Sequence, residues 1–449
     1  MSSQLNIIIA NFIIRFFAKL SQKNIIPLVL RNYEGLPYSL NGNDIDLLIR
    51  RKDYKLAKSI LYETGRKMGV NLIIYRFWKN VHTFTLVWDY NVSLKIDFLI
   101  NFENRGRVFL RSKEVLQFAR SRDTFFVPDP IHEAIINFLK PLLSGGSMKL
   151  KYFPKIKTVF LSNERKVRSI MKRFFSNKTL DELFELIEKE EIDKIEKLSS
   201  RMNREAFFNF FIQNPLEFVL NVLHHYVIEM VRMISLPQNS FFAILGPDGI
   251  GKTTVAEQAI KRLRSTLKLS KHYTELYHFR PCLFPNLRKL ILRDENPSDF
   301  QRPYRAKPAG FVSSLLRMSY YWLDYLIGYY LKIRPGLRRY KIILFDRYFH
   351  EFLVDPKRSR IKLPMWIRKV FYIFVPKPRL VFILNAPPQV ILKRKQELNL
   401  RQLKNLIKSY ESVGYSLKNV IFIDASKPAD VVSNEIAWKI IESISERFL

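Results

Sequence analysis

Cysteine is all but missing: Cys282 is the single one in 449 residues. This excludes an intrachain disulfide framework and any multi-cysteine zinc site, and it fits a reducing compartment, with the cytoplasm as the expected location. Acidic residues are scarce beside basic ones, 41 Asp and Glu against 75 Lys and Arg, so the formal charge is +34. Anionic partners such as nucleotides, nucleic acid or a lipid surface are therefore favoured. Long apolar runs are missing too. The most apolar stretch near the start, residues 7–20 (IIIANFIIRFFAKL), is interrupted by Asn11 and Arg15 and falls short of the ~20 residues that a bilayer span needs. It lacks a basic leader and a small-residue cleavage site, and it reads as a first helix packed on its own domain rather than as a membrane-surface anchor. No transmembrane segment is expected. What remains is ordinary globular composition, 47% hydrophobic and 26% charged, which excludes disorder and fibrous classes. A chain of this length predicts roughly three units of about 150 residues.

The pattern changes twice along the chain. Residues 45–49 (IDLLI) read as a strand, 53–68 as a helix with Asp53 at its cap, and 70–77, 83–88 and 94–100 as further strands rich in β-branched and aromatic residues. This small α/β unit is expected to end at PLLSGGS, residues 141–147. Residues 178–232 carry helical periodicity with an interruption at Pro215. The adjacent His224 and His225 there point about 100° apart on a helix, so they suit the core or the surface better than a metal. After Pro237 strands alternate with helices, at 241–245, 273–279, 341–345, 380–384 and 420–423, which predicts a parallel sheet covered on both faces.

The chemistry begins right after the first of those strands. Gly246-Pro247-Asp248-Gly249-Ile250-Gly251-Lys252-Thr253 fits G-x-x-x-x-G-K-[ST] between the apolar run FFAIL and the helix-like VAEQAIKRL. In such a loop, glycines let backbone N–H groups turn toward phosphate oxygens and the helix N-terminus adds its dipole. Lys252 is then placed for the β and γ phosphates, and the Thr253 hydroxyl for Mg²⁺. Asp346-Arg347-Tyr348 follows the apolar strand IILF, so Asp346 lies beyond a strand's carboxyl end, where an open parallel sheet keeps its ligand groups. A carboxylate there orders magnesium or its water, and Arg347 bridges donor and acceptor phosphates; a structural ion pair is the plainer alternative.

GPDGIGKTT, ending in Thr254, the DRY triplet and ILNAPPQVILKRKQE resemble the thymidylate kinase group of nucleoside monophosphate kinases over about the last 210 residues. The resemblance implies ATP and Mg²⁺ as cofactors, a nucleotide substrate and a homodimer. It casts Asp248, Asp346, Arg347 and Tyr348 as site residues, and puts Arg394 and Lys395 where lid cations close on ATP; a solvated helix face is the other reading of KRKQE. The family's Arg-Glu-Pro-Gly-Gly acceptor loop is absent, and His278-Phe279-Arg280-Pro281 stands after the second strand, with Arg280 as the candidate for an acceptor phosphate. The Ser and Gln that follow the family's DRY are replaced by Phe349-His350-Glu351 and by Val354-Asp355-Pro356-Lys357-Arg358. The helix expected at 313–333 carries Tyr320, Tyr321, Trp322, Tyr325, Tyr329 and Tyr330, either base-stacking aromatics or core.

In the first unit, Asn41-Gly42-Asn43-Asp44-Ile45-Asp46 puts two aspartates two residues apart, on one face of a strand. Asp97, in SLKIDFLI, is placed to join them in a two-magnesium site for nucleotidyl transfer. This stretch resembles the nucleotidyltransferase superfamily, although its Gly-Ser turn is replaced by Gly42-Asn43. A surface strand start with Asp44 serving a turn is the alternative.

The expected fold class is therefore α/β. A nucleotidyltransferase-like α/β domain (1–147) and a helical connector (148–237) precede a P-loop NTPase parallel sheet with helices on both faces (238–449). The expected activity is ATP-dependent phosphoryl transfer to a nucleoside monophosphate, dTMP first. One rival is a P-loop kinase with a sugar or another nucleotide as acceptor and an active or vestigial nucleotidyltransferase module. The other is a nucleotide sensor that binds nucleic acid, which the spread of Lys and Arg along the chain disfavours.

Overall fold

The computed structural model describes residues 2–40, 44–78, 81–104, 107–145, 147–234, 240–285, 310–395 and 398–445. Two compact units divide the chain, Met1–Ile234 and Ser235–Ser445. Gly42-Asn43 of the first unit and the boundary at Pro237 lie outside the described residues.

The first unit opens with α1 (Ser2–Gln22), β1 (Leu28–Val29), β2 (Ile45–Leu48) and α2 (Tyr54–Lys67). The strands β3 (Leu72–Trp78), β4 (Val81–Val87) and β5 (Ser93–Leu99) follow. Next come the hairpin β6 (Asn101–Asn104) and β7 (Arg107–Arg111), the short α3 (Ser112–Gln117), and β8 (Arg120–Arg122) with β9 (Phe125–Val127). The sheet order is β3-β4-β5-β2-β1-β9-β8, mixed in direction, with β2 parallel to β5. Period-two alternation sends Ile45 and Leu47 to the face covered by α1 and α2, and Leu48 to the opposite face. The apolar 7–20 stretch thus packs one face into the unit's core, with Phe12, Phe16, Phe17 and Leu20 fully buried, and leaves Ile7, Asn11 and Arg15 exposed. Asp53 does not cap α2 with its side chain, because Arg50, three residues earlier, offers it a charged donor at 2.5 Å.

The helices that follow are α4 (Pro130–Leu143), α5 (Phe153–Ser162), α6 (Glu164–Met171), α7 (Asn177–Glu188), α8 (Ile192–Gln213) and α9 (Pro215–Ile234). The boundary expected at 147 does not separate two cores. Pro141 sits inside α4, the chain turns at Gly145 (φ +73°), and Phe138, Phe160, Leu183, Met202 and Phe218, from both sides of the turn, share one apolar cluster. A glycine turn ends a helix without ending a domain when both flanking helices present apolar faces to the same sheet.

The second unit is an open parallel sheet in the order β11-β12-β10-β13-β14. Its strands are β10 (Phe241–Leu245), β11 (Thr274–His278), β12 (Ile342–Asp346), β13 (Leu380–Asn385) and β14 (Val420–Asp424). The helices are α10 (Lys252–Thr266), α11 (Phe311–Gly328), α12 (Arg334–Arg338), α13 (Glu351–Val354), α14 (Met365–Phe374), α15 (Pro388–Arg394), α16 (Leu400–Tyr415) and α17 (Ala429–Ile444). Phe241, Ala243 and Leu245 pack with Met318 and Tyr325 of α11 and Tyr410 of α16. α10 lies against β10, β11 and β12 and pairs with α17. Continuous apolar strands buried on both faces are what a parallel sheet requires. Among the described residues no helix is long and apolar enough to cross a membrane.

Candidate functional site

The central strand β10 delivers its chain to a loop that closes on itself. Gly249 (φ +83°) and Gly251 (φ +99°) adopt left-handed backbone, and a Cβ on Gly249 would stand 2.7 Å from that of Lys395, so glycine is required there on two grounds. Lys252, buried at the start of α10, donates to the carbonyls of Gly246 and Pro247, 2.7 Å each. Burial, with Arg347 beside it, pushes this ammonium's pKa well below its ordinary value. Asp248 is the loop's anionic centre, accepting from Arg347 and Arg358 and lying 3.4 Å from Lys252. Ile250 is buried, and Thr254 lies on the exposed side of the first turn of α10.

Beside the loop, β12 ends in Asp346. The Thr253 hydroxyl donates to Asp346 Oδ2 at 2.5 Å, and His278 Nδ1, from the end of the neighbouring β11, lies 3.2 Å from the same oxygen. Burial alone would raise the Asp346 pKa, but the hydrogen bonds from His278 and Thr253, with Lys252 and Arg347, bring it below the ordinary carboxylate range. Its other oxygen, Oδ1, is buried without a hydrogen-bond partner. A carboxylate oxygen left bare beside a hydroxyl is a donor set suited to Mg²⁺, which takes one or two protein oxygens and keeps several waters. Arg347 follows in left-handed backbone (φ +71°), its N–H donating to Ile244 O at 2.9 Å. A non-glycine residue held so is strained by about 1–3 kcal/mol, and such strain gathers at functional sites.

The structure turns two expected substrate residues inward. Arg280 is 6% exposed, and its guanidinium is spent on buried Asp324 (3.1 Å) and the carbonyls of Phe284 and Pro285 (3.2 Å each), so it does not present a free fork to an acceptor phosphate. Tyr348 is 1% exposed and donates to Pro376 O at 2.7 Å, a core tyrosine with its hydroxyl satisfied. Of the aromatic run, Tyr325 on α11 is fully buried, Tyr321 is half-buried and stacks on Phe352 at 5.4 Å, and Tyr330, beyond the end of α11, is exposed. Arg394 does reach the loop, donating to Ile250 O and to Ala425 O, 3.2 Å each.

Three groups at this site have no sequence motif of their own. Arg358 arrives on the short turn Pro356–Ser359, eleven residues after Arg347, and nothing local to PKR signals its partner Asp248. His278 is announced only by its place at a strand end. Glu351 is buried on α13 and accepts from Tyr410 OH at 2.9 and 3.1 Å; burial raises its pKa, with Lys252 and Arg347 opposing.

In the first unit the three aspartates do meet, because the parallel register of β2 and β5 sets Asp46 opposite Asp97. Yet cations of the chain already occupy the cluster. Lys95 Nζ lies 3.0 Å from Asp44 Oδ2 and 3.3 Å from Asp97 Oδ2, and Arg31 Nε lies 2.5 Å from Asp46 Oδ2. Burial raises the Asp97 pKa; at Asp46 burial is outweighed by Arg31, Lys140 and Lys95, and the pKa falls. Among the described residues no group of three or more His, Cys, Asp or Glu side chains is placed to hold a metal. At Asp44, Asp46 and Asp97 the expected metal ligands thus meet cations of the chain's own, and a divalent ion there would face Lys95 at close range.

No protein-family model matches the chain. It is similar to the thymidylate kinase of Malacoplasma penetrans (strain HF-2), 26% identical over 238 residues, which is 47% of this chain and 100% of that protein. This similarity supports a kinase-like region in the chain.

Proposed function

We propose that the second unit transfers the γ-phosphate of ATP to a nucleoside monophosphate, with dTMP the favoured acceptor. The observation that carries this reading is the convergence of Lys252, Thr253, Asp346 and Arg347 at the carboxyl ends of two adjacent central strands. Phosphoryl transfer asks a protein for positioning and charge neutralisation rather than for covalent chemistry, and these groups offer both.

In this mechanism the N–H groups of the loop and the first turn of α10 hold the β and γ phosphates, and Lys252 exchanges its two carbonyl partners for phosphate oxygens. Thr253 and Asp346 would hold Mg²⁺, which when bound neutralises charge on the same phosphates. An oxygen of the acceptor phosphate attacks the γ phosphorus, the bond to the β–γ bridging oxygen breaks, and ADP departs with that electron pair. Arg347, released from Asp248, pairs with the migrating group, and Arg394, tied to Ile250 and Ala425, holds the loop against the end of β14.

A second reading, a P-loop kinase with another acceptor such as a sugar or a different nucleotide, is favoured by one observation, the inward turn of Arg280. The first unit is read as a nucleotidyltransferase-like scaffold, active or vestigial, with 1–147 and 148–237 as its sequence segments. The test is ATP consumption with Mg²⁺ against dTMP, other nucleoside monophosphates and simple sugars. Turnover of dTMP that falls by on the order of 10²–10³ in Lys252→Ala supports the first reading. Turnover of a sugar alone supports the second, and ATP binding without turnover of any acceptor overturns both.

A further inference from the structure

One carboxylate of the glycine loop holds more basic groups than it can neutralise. Asp248 accepts from Arg347 at Oδ1 and from Arg358 at Oδ2, and its Oδ1 lies 3.4 Å from Lys252. The two guanidinium charges alone exceed the single negative charge of this acid, and such a surplus in a cleft gathers anions. The phosphoryl transfer proposed for this site engages two of the three basic groups, Lys252 with the donor and Arg347 with the migrating phosphate. Arg358 is left without a task. The acceptor phosphate is left without a cation of its own, because Arg280 is closed onto Asp324.

The sheet order puts Arg358 on the side away from Arg394. In β11-β12-β10-β13-β14 the loop leaves the central strand, and Arg394 ties it toward β14 through Ile250 O and Ala425 O. Arg358 comes instead from the chain that leaves β12, where Phe352 meets Phe279, just past β11, at 5.3 Å. Its backbone is pinned. The N–H groups of Arg360 and Ile361 donate to Lys357 O and Pro356 O, 2.9 Å each, that of Lys362 donates to Ser314 Oγ at 2.9 Å, and Ile361 and Leu363 are buried. The side chain is less enclosed, 26% exposed against 8% for that of Arg280. A fixed stem with a half-open guanidinium suits exchange between an internal carboxylate and an incoming phosphate, since the planar fork matches the oxygens of either. We propose that Arg358 is the ligand of the acceptor's phosphate: it pairs with Asp248 until the acceptor enters and then turns its fork to the phosphate oxygens. The inference rests on the phosphoryl-transfer reading and narrows the acceptor to a phosphomonoester, because a neutral sugar gains nothing from this cation. It also supplies the charge that the inward turn of Arg280 withholds.

The experiment compares the full chain with Arg358→Gln and Arg358→Lys in steady-state kinetics, using dTMP or whichever nucleoside monophosphate is turned over best. Arg358→Gln should raise the KM of the monophosphate about 10–100-fold and leave the KM of ATP within about twofold. Arg358→Lys keeps a charge beside Asp248, serves as the variant closest to the native fold, and should recover part of the loss, since an ammonium lacks the fork. Calorimetric titration with Mg²⁺ and a non-hydrolysable ATP analogue adds a readout that a structural pair does not move. The monophosphate should bind Arg358→Gln more weakly by the same factor, while its nucleoside, which lacks the phosphate, binds variant and wild type alike. The inference is overturned if both variants turn over the monophosphate with an unchanged KM. It is also overturned if monophosphate and nucleoside, or monophosphate and ATP, weaken together, which would make the pair with Asp248 structural. A wild type that turns over no nucleoside monophosphate fails differently: it removes the phosphoryl-transfer reading to a monophosphate, and this inference with it.

Discussion

His350 has no surface to water, and its ring is held by one hydrogen bond, Nε2 to Tyr372 OH at 2.8 Å, with Nδ1 buried and unpartnered. Burial, with a smaller push from Lys377, lowers its pKa to about 3, so the folded protein keeps this imidazole neutral at every ordinary pH. The unfolded chain takes up a proton there near pH 6.5, which favours unfolding as pH falls. The contribution of His350 is thus fully present above about pH 6.5 and declines by about 1.4 kcal/mol per pH unit until the folded pKa is reached. Between pH 7 and pH 5 that amounts to about 2 kcal/mol. Urea unfolding at the two pH values measures it: His350→Gln should lose about 2 kcal/mol less than wild type over the interval. Equal losses in both proteins would show that the ring is protonated without penalty, and the buried neutral state would be wrong.

At the scale of elements, the turn after β11 is held by α11. Asp324 accepts from the backbone N–H groups of Leu283 and Phe284, 2.8 Å each, and from Arg280, which closes the 280–284 turn onto the helix. Removing one partner of a buried pair leaves the other charge stranded, so Arg280→Ala should cost about 3–5 kcal/mol of stability in the second unit, read by chemical denaturation. A residue kept only to bind an acceptor phosphate would instead raise KM and leave stability within about 0.5 kcal/mol. The same contrast explains which parts of the molecule are legible in sequence. Strand, glycine loop and helix are contiguous, so Gly246 to Thr253 and the five parallel strands announce themselves through period and spacing, and the aspartate at the end of IILF inherits its place from its strand. Asp44, Asp46 and Asp97 also come together as their alternation predicts. Partner choice is different. Arg280 turning to Asp324, Lys95 entering the aspartate cluster and Arg358 reaching Asp248 depend on which charged group the fold brings nearest, and residues 44–110 apart leave no local pattern for that. The glycine turn near 147 misleads for a similar reason, since the apolar faces that join its two sides are visible only once the helices pack.

For the whole molecule, two units with separate cores imply two unfolding events, because each core can be lost while the other persists. The asymmetry between their acidic sites then becomes measurable. In the second unit Asp346 keeps a bare buried oxygen beside Thr253, while in the first Lys95 and Arg31 already neutralise Asp44, Asp46 and Asp97. A ligand stabilises only the unit whose folded form binds it, by about 2.7 kcal/mol at a hundred times its Kd. Calorimetry of the full chain with Mg²⁺ and a non-hydrolysable ATP analogue should therefore raise one transition and leave the other in place. Asp346→Asn should remove most of that rise, and Asp97→Asn should not touch it. The first unit holds a metal if Mn²⁺ alone raises the first unit's transition, the one the nucleotide leaves in place, and Asp97→Asn abolishes that shift, and in that event Lys95 must be displaced from between Asp44 and Asp97 when the ion enters.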